Sequence, residues 1–261
     1  MPQSRRLAAF LRPCGMIWFS ICLHWEAFRE AVRRDGLGAL LHLSQIRDAA
    51  TAKLFCVTSA GFVAFEDTTI VPSLVKAASG VVLELGPGPG NQLHRFDTSC
   101  VSHIYGVEPN LHYKHDIDAK LAKYNLRDRY KLIVAGVEDS DVLRREGITE
   151  GSVDSVLCIQ VLCAVLDPET VMKEVWKLLK PGGKFIFWEH GWSQNHLTMA
   201  EQALLNPAWS TFLGCCMTRN VLADILNSGQ WENPQDIEAP EDPFSCLPRI
   251  QGVLVKKIPS V

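Results

Sequence analysis

The sequence predicts an α/β protein with a seven-stranded, mostly parallel sheet that ends in an antiparallel hairpin, preceded by a helical extension. Three observations lead to this fold class. From Val81 onward, short apolar runs alternate with helical patterns, which is typical of parallel sheets with crossover helices. The first apolar run leads into a glycine-rich turn at 86–90. The region before it, residues 1–78, has a different and mainly helical pattern.

The strand predictions rest on apolar runs that are bounded by turn residues. The first run leads into the turn at Gly86, the second ends in the acid Glu108, and Gly151 and Ser152 introduce the fourth. The seven predicted strands are 81–86, 102–108, 130–137, 153–162, 184–189, 235–239 and 249–257, of which the last two form the hairpin.

The helix predictions rest on start and stop residues. Asn91 is a favourable N-cap directly after the glycine turn, and Pro168 suits the start of a helix. The Lys-Pro-Gly-Gly turn at 180–183 ends that helix, and Gly229 ends the last one. The predicted helices begin near Asn91 and cover 111–124, 169–179 and 219–228, whereas 191–218 is expected to be less regular.

The N-terminal region is predicted to form a helical extension or lid over residues 1–78, before a ligand-binding domain at 79–261. Cys14–Leu23 is apolar except for Ser20, and Pro13 limits its extension backwards. Ten residues are too short for a membrane span, which needs about twenty. Three interpretations stay open: a helix packed on the domain, peripheral membrane contact through residues 7–25 with basic flanks, and a signal segment.

Composition bounds the function. The chain has 261 residues, 47% hydrophobic and 21% charged, with a net charge of −3 and a pI near 6.2. The sequence contains no basic stripe of the kind that binds nucleic acid, so a small-molecule substrate is expected. The nine cysteines include no C-x-x-C and no metal spacing, and we expect reduced, mostly buried thiols and no metal site.

The glycine turn predicts the cofactor. A dinucleotide site prefers G-x-G-x-x-G, but here the third glycine of the 84–91 segment comes one residue early. Pro87 and Pro89 also remove two backbone N–H donors, which suits a phosphate poorly. The turn is better suited to an amino acid joined to adenosine, so S-adenosylmethionine (SAM) is the expected cofactor. Glu108, at the end of the second predicted strand, can accept from both ribose hydroxyls.

The ordered motifs resemble those of the class I SAM-dependent methyltransferases. The matching segments are 84–90, Glu108, 151–156 and 178–183. A narrower match, to the methyltransferase-like alkyl thiol methyltransferases, covers 160–165, 188–190, 206–209 and 214–219. The resemblance implies a Rossmann-like fold and methyl transfer from SAM to a thiol or hydroxyl of a small apolar molecule. It also implies a cytoplasmic protein associated with the endoplasmic reticulum membrane, although the apolar N-terminal run here is shorter than in that family.

The resemblance also implies a set of site residues. Glu84 would meet the ammonium group or order the turn, and an acid after the third strand would accept from the adenine amine, with Glu138 and Asp139 both open. The cofactor residues are Glu84, Gly86, Pro87, Gly88, Gly90, Asn91, Glu108, Asn110, Gly136, Val137, Glu138, Asp139, Ile159 and Gln160.

The acceptor is expected at the carboxyl end of the fifth strand. His190 is the predicted catalytic base there, because strand ends open onto the crevice of such sheets. The alternative for His190 is a histidine that fixes the loop through hydrogen bonds, and His196 is a weaker candidate for the base. Core packing is the alternative interpretation for the aromatic side chains that would wall an apolar pocket. Those residues are Trp188, Trp192, Trp209, Phe212 and Met217.

Two other functions stay open at this stage. A methyltransferase fold can catalyse a cyclisation or rearrangement without methyl transfer, because a shaped apolar pocket is reusable. The chain could also be a non-catalytic scaffold at a membrane. Product mass separates the first alternative from methylation, and absence of SAM affinity would indicate the second.

Overall fold

A computed structural model describes residues 2–240 and 245–259 and has an α/β architecture around one sheet. The strand order is β3-β2-β1-β4-β5-β6, with β1 to β5 parallel and β6 antiparallel to β5. The strands are β1 Gly80–Leu85, β2 Val101–Val107, β3 Tyr130–Ile133, β4 Val153–Ile159, β5 Leu179–His190 and β6 Arg249–Val255.

Helices cover both faces of this sheet, and helices also make up the region of the chain that precedes it. The α-helices are α1 Pro2–Asp35, α2 Leu43–Glu66, α3 Val71–Lys76, α4 Lys114–Lys123, α5 Ser140–Arg145, α6 Pro168–Leu178, α7 His196–Leu213 and α8 Val221–Asn227. Short 3₁₀ helices lie at Gly36–His42, Leu111–Tyr113 and Pro234–Asp236.

Local sequence signals explain where several helices begin. Asp167 precedes α6, and its side chain accepts hydrogen bonds from the backbone N–H groups of Glu169 and Thr170. Asn195 caps α7 in the same way. Gly214 ends α7 in the left-handed conformation at φ 74°, which only glycine adopts without strain.

The two faces of the sheet bury separate apolar clusters. Alternate residues of a strand point to opposite faces, so Leu83 packs in one cluster and Val82 in the other. Buried residues of α6, such as Met172 and Val175, cover the first face. Ile117 of α4 and Leu74 of α3 cover the second. Because β1 has β2 on one side and β4 on the other, the chain reverses its direction of winding there, and a crevice opens at the carboxyl ends of these strands.

The sheet has six strands within the described residues, so the prediction of seven was wrong. The segment predicted as a strand at 235–239 contributes one antiparallel bridge, in which Glu238 exchanges two backbone hydrogen bonds with Gln251. Pro234 starts a 3₁₀ helix and Pro240 follows closely, which leaves no run of free N–H donors for a ladder. The antiparallel end of the sheet is therefore formed by β5 and β6.

Two helix predictions were also wrong. No helix begins at Asn91; residues 88–95 form consecutive turns, because the Asn91 side chain accepts from Ser59 and Lys120 instead of capping a helix. The segment 191–218, predicted to be irregular, contains the 18-residue helix α7. Pro207 lies inside α7, and such an interior proline argues against a helix in sequence analysis.

The N-terminal helix is longer than the sequence indicated. α1 continues through Pro13, which is buried, although proline costs an interior helix about 3 kcal/mol. Packing compensates, because α1 contacts both α2 and α7 and buries Ile17 against Leu54 and Leu213. Ser20 donates a hydrogen bond of 2.6 Å to the carbonyl of Phe212 in α7. This extension is therefore packed on the sheet domain.

One helical stretch of the described chain, Phe10–Glu66, is long and apolar enough to cross a membrane by length and composition. A core helix or a signal sequence would pass the same test, so the finding does not decide between the interpretations of this region.

Candidate active site

A large cavity of about 1110 Å³ lies over the carboxyl ends of the strands. Its floor includes Leu85, Val107 and Ile159, which end β1, β2 and β4, and His190, which ends β5. Its roof comes from α1 and from α2, whose aromatic side chains Phe55, Phe62 and Phe65 face it. The cavity therefore occupies the crevice expected for a ligand of such a sheet.

Most of the residues predicted for the cofactor meet in this one cavity. The lining residues among them are Glu84, Gly86, Pro87, Gly88, Asn91, Glu108, Asn110, Gly136, Val137, Glu138, Ile159 and Gln160. Gly90 and Asp139 do not line it. Both residues instead shape the backbone of their loops.

The glycine loop presents bare backbone to the cavity. Gly86 and Gly88 have positive φ values of 51° and 53°, and a Cβ on Gly88 would stand in open space. Gly90 is required for another reason: at φ 75°, its Cβ would lie 2.7 Å from the buried side chain of Leu93. Gly90 therefore shapes the turn, a Cβ on Gly86 would meet Val161 at 3.0 Å, and Gly88 is the glycine that leaves room for a ligand.

Glu108 holds the glycine loop and also faces the cavity. One carboxylate oxygen accepts from the N–H of Gly88 at 3.1 Å, and the other accepts from the N–H of Asn110 at 2.9 Å. Burial raises the pKa of Glu108, and these two backbone donors oppose the shift. Each carboxylate oxygen can accept a second hydrogen bond, so the group can still receive two hydroxyl donors.

Glu84 lies beneath the loop and is fully enclosed. Tyr130 of β3 donates to one of its oxygens at 2.8 Å, while the other, Oε1, has no partner within the described residues. Burial raises the pKa of Glu84 to about 7, which the Tyr130 hydrogen bond only partly offsets. Gly106 makes room for this contact, since a Cβ there would overlap the Tyr130 hydroxyl. The unpaired oxygen is an available acceptor at the cavity.

The two acids that follow β3 have different positions. Asp139 is turned inward to the backbone, where it accepts from the N–H of Gly136 at 2.9 Å. Glu138 lines the cavity, and its carboxyl group lies over Gly136, at 2.6 Å from where a Cβ would be. Of the alternatives that the sequence left open, Glu138 is thus the one positioned to meet a ligand.

The asparagines have structural partners of their own. Asn110 donates to the carbonyl of Asp48 in α2 at 2.9 Å, and its side-chain oxygen accepts from His112. Asn91 accepts from Ser59 of α2 at 2.6 Å. Both side chains therefore tie the roof helix α2 to the strand ends.

A buried ionic network that sequence reasoning missed makes the same connection. Glu66, at the end of α2, forms an ion pair of 2.7 Å with Arg95 and accepts from Gln92 at 2.9 Å. Both side chains of the pair are only 3% exposed. Breaking one partner of such a pair costs about 3–5 kcal/mol, so the network firmly positions the roof over the loop. Glu66 is separated from Gln92 by 26 residues and from Arg95 by 29, so no local pattern marks the network.

Gln160, directly after β4, has a strained backbone. Its φ of 60° lies in the left-handed region, which a non-glycine residue rarely adopts. The N–H of Gln160 donates to Trp188 at 2.9 Å, and its side chain donates to Glu66 at 3.3 Å. Strain of this kind concentrates at ligand sites, and here it places Gln160 at the cavity wall.

His190 is buried at the opposite end of the cavity, beside two cysteines. Its Nε2 lies 2.9 Å from the sulfur of Cys215, and its Nδ1 has no partner among the described residues. Cys163 completes a group whose ligand atoms all lie within 4.8 Å of one another. Cys163, followed by His190, holds the pKa of the Cys215 thiol well below its usual range.

This cluster is chemically suited to proton handling more than to a metal. A soft divalent ion could use two sulfurs and an imidazole. However, the guanidinium of Arg249 lies near both sulfurs and would repel a cation. An imidazole next to a low-pKa thiol can instead accept and return a proton. The three groups come from 163, 190 and 215, so no spacing in the sequence indicates them.

The aromatic wall predicted from the sequence is only partly correct. Trp209 and its neighbour Leu213 in α7 line the cavity, but Trp188, Trp192, Phe212 and Met217 do not. Trp188 is fully enclosed in the core beneath it. The aromatic roof comes instead from α2, which the sequence pattern did not assign to the acceptor pocket.

Known proteins with related sequences decide the family. The family described as Methyltransferase domain matches residues 83–187. Thiol S-methyltransferase TMT1B of Homo sapiens is 32% identical over 186 residues, which cover 69% of this chain and 72% of that protein. The Rattus norvegicus protein of the same name is 33% identical over 67% of this chain and 70% of that protein. This chain is a class I SAM-dependent methyltransferase of that family.

Solved structures show the same fold. An O-methyltransferase family protein from Burkholderia thailandensis superposes with a TM-score of 0.59 at 14% identity, over 93% of this chain and 71% of that one. The [4+2]-cyclase SpnF superposes with a TM-score of 0.55, also at 14% identity, over 76% and 81%. These likenesses concern the fold alone, and they lend no support to methyl-independent catalysis or to a scaffold role.

The residues present fit the SAM of a class I methyltransferase. The bare backbone at Gly88 admits the methionine part, and the unpaired Oε1 of Glu84 offers an acceptor for its ammonium group. Glu108 can accept from the ribose hydroxyls, and Glu138 faces the side where adenine is expected. Opposite charges and unfilled acceptors thus lie where the cofactor would need them.

Proposed function

We propose that this methyltransferase transfers the methyl group of SAM to the thiol of a small apolar molecule. The observation that carries the proposal is that one cavity joins the glycine loop and Glu108, at one end, to the His190–Cys215 pair at the other. The relatives at 32% and 33% identity are named thiol S-methyltransferases, which favours sulfur over oxygen as the acceptor atom. The phenylalanines of α2 favour an apolar acceptor.

A thiol suits this site chemically. A thiol has a pKa near 8.5, so it is partly ionised at neutral pH and needs little help from a base. SAM supplies an electrophilic methyl group on a positively charged sulfur. In-line displacement needs alignment of the two sulfurs more than charge stabilisation. The protein therefore has to bind both partners closely, exclude water and accept one proton.

We assign these tasks to named residues. Gly86, Gly88 and Glu108 bind and orient the cofactor, and the roof helix α2 excludes water from the cavity. His190 accepts the proton that the acceptor thiol loses, and its contact with Cys215 fixes the orientation of the ring. The net reaction converts a thiol to a methyl thioether, with S-adenosylhomocysteine and one proton as the other products.

Methyl transfer to a simple alkyl thiol tests this function. Purified full-length protein is incubated with SAM and either an alkyl thiol or the corresponding alcohol, and the products are identified by mass. We expect the thiol to gain one methyl group and the alcohol to remain unchanged. His190→Gln should lower kcat by about 10-fold, because a thiol with a pKa near 8.5 is already partly ionised at neutral pH. Exclusive methylation of the alcohol, or rearranged product without added mass, would overturn the assignment.

We further propose that residues 1–78 form a lid on the domain at 79–261. Arg12 and Met16 of α1 and Arg47 and Asp48 of α2 line the cavity, which supports this division. The buried pair of Glu66 and Arg95 would then be the anchor about which the lid is held.

We also propose that α1 contacts a membrane surface peripherally and that the protein is cytoplasmic, with association to the endoplasmic reticulum membrane. The stripe of α1 that faces away from α2 and α7 carries Trp18, 68% exposed, and Trp25, 60% exposed. Leu41, in the following 3₁₀ helix, is 84% exposed. Exposed tryptophans beside arginines are typical of interfacial helices.

Liposome flotation tests this contact. The full-length protein should float with vesicles that contain anionic lipid, and the variant with both Trp18→Glu and Trp25→Glu should remain at the bottom. Ile258→Glu, which changes an equally exposed apolar residue beyond β6, is the matched control and should still float. Equal flotation of all three proteins would contradict the proposal. No nucleic-acid partner is proposed, because the net charge is −3.

A further inference from the structure

Arg249 is a cation at the cavity that has no hydrogen-bond or ion-pair partner among the described residues. It begins β6 and lines the cavity, and its guanidinium lies over the ring of Trp188 at 4.0 Å. Nη1 is closed off from solvent and has no hydrogen-bond partner. Across the described residues, the Arg249 side chain makes no ion pair within 4 Å, whereas the buried acids Glu66, Glu84 and Glu189 each accept a hydrogen bond. The Arg249 guanidinium therefore lacks the acceptor that such groups normally have.

The neighbouring acids do not take this place. Cys163, Glu189, Cys215 and Glu66 are near enough to favour the charged form of Arg249, but none forms a hydrogen bond with it. One oxygen of Glu189 accepts from the N–H of Val161, and Glu66 is paired with Arg95. A guanidinium stays protonated under all ordinary conditions and offers a planar pair of donors that matches a carboxylate. Because Arg249 lines the cavity, a ligand bound there is the acceptor that remains for its guanidinium.

The position of Arg249 relates it to the reacting end of the site. Arg249 and His190 are register partners in the antiparallel β5–β6 pair, so their side chains lie on the same face of the sheet. Cα atoms of such partners are about 5 Å apart. A molecule whose thiol is beside His190 therefore reaches Arg249 with a group only a few bonds away. Trp188, two residues before His190, holds the guanidinium in place from below.

We propose that Arg249 binds a carboxylate of the acceptor, so that, among small thiols with an otherwise apolar body, those with a carboxylate a few bonds from the sulfur are preferred. This inference rests on the proposed S-methylation. The same carboxylate chemistry is also present in the methionine part of the cofactor, and the experiment is arranged to separate these two sources. Arg249 is a specificity-determining residue in this account, and His190 remains the proton acceptor.

A matched pair of acceptors tests the inference: 3-mercaptopropionate and its uncharged amide. The wild-type protein should show a kcat/KM at least about 10-fold higher for the acid. Arg249→Met keeps much of the side-chain length without the charge and should reduce this acid-to-amide ratio by about 10- to 100-fold, the usual value of a charge-assisted pair. Arg249→Lys, which keeps the charge but not the fork, should retain part of the preference.

Binding measurements make the test independent of turnover. The Kd values of both thiols are measured by calorimetry with S-adenosylhomocysteine present, and the Kd of S-adenosylhomocysteine is measured separately. An equal loss for acid and amide would overturn the inference. So would an unchanged acid-to-amide ratio with weaker S-adenosylhomocysteine binding, because the carboxylate would then be that of the cofactor. If neither thiol is methylated, the proposed function fails, and the acid-to-amide ratio of Kd values still decides on Arg249.

Discussion

Replacement of Glu108 by glutamine should separate cofactor binding from folding. In the structure each oxygen of Glu108 accepts one backbone N–H, from Gly88 and Asn110. A glutamine keeps one oxygen acceptor but replaces the other by an NH₂ group, which cannot accept. One backbone donor therefore loses its acceptor, and one of the two hydroxyl donors of a bound ribose loses its acceptor as well.

The magnitude follows from these two losses. A hydrogen bond to a charged group contributes about 1.5–3 kcal/mol, and each 1.4 kcal/mol is tenfold in a binding constant. Loss of one ribose contact should therefore weaken SAM binding by about 10- to 100-fold. The displaced N–H of Gly88 or Asn110 can bond to water once the cavity is open, so the free energy of unfolding should fall by only about 1–3 kcal/mol.

Calorimetric titration with SAM and with S-adenosylhomocysteine measures the effect. Both ligands contain the same ribose, so both Kd values should rise by the same factor in Glu108→Gln. Glu150→Gln, a change of an exposed acid outside the cavity, is the matched control and should leave both values as they are. An unchanged affinity in Glu108→Gln would refute the assignment of Glu108 to the ribose.

Three further predictions concern the supports of the site. Gly106→Ala should lower the free energy of unfolding in urea by about 1–3 kcal/mol, because the new methyl group overlaps Tyr130; Gly61→Ala, in an open position of α2, should instead raise it by about 0.5–1 kcal/mol. Arg95→Met should cost about 3–5 kcal/mol in the same assay, since it leaves Glu66 buried without its cation, and a cost below 1 kcal/mol would show that the network does not hold α2. Burial raises the pKa of Glu189 to about 7 from its usual 4.5, so the folded protein holds this proton more tightly than the unfolded chain. The resulting contribution to the free energy of unfolding is complete below pH 4.5 and is lost as the pH rises through 7. Glu189→Gln does not titrate, so its free energy of unfolding should rise by about 3 kcal/mol relative to that of the wild type between pH 4.5 and 7.5. Stability curves of the two proteins that run parallel with pH would contradict this.

Local signals were sufficient for the parallel part of the fold, and most of the residues that they predicted for the cofactor line one cavity. The glycine loop and Glu108 follow strands whose pattern is continuous, so their meeting at one edge follows from parallel pairing alone. Gly90 and Asp139 do belong to the loops that were predicted. However, they shape the backbone and do not line the cavity. Which of two adjacent acids faces a ligand depends on backbone torsions that one sequence does not reveal.

The remaining features depend on contacts between distant segments. α7 was missed because Pro207 interrupts its pattern, whereas the cap Asn195 and the terminal Gly214 mark its ends. The seventh strand was predicted from apolar residues, yet the flanking prolines limit that segment to a single bridge. The ion pair of Glu66 with Arg95 and the cluster at His190 join residues that are far apart in the chain, and no spacing predicts them.

Transfer of an isotope-labelled methyl group tests the central claim most directly. The full-length protein is incubated with SAM that carries a trideuterated methyl group and with 3-mercaptopropionate, and the products are analysed by mass spectrometry. The account predicts a thioether that contains the intact CD₃ group, together with an equal amount of S-adenosylhomocysteine. Recovery of the thiol without a CD₃ group, under conditions in which calorimetry shows that SAM is bound, would contradict the claim that this protein is a thiol methyltransferase.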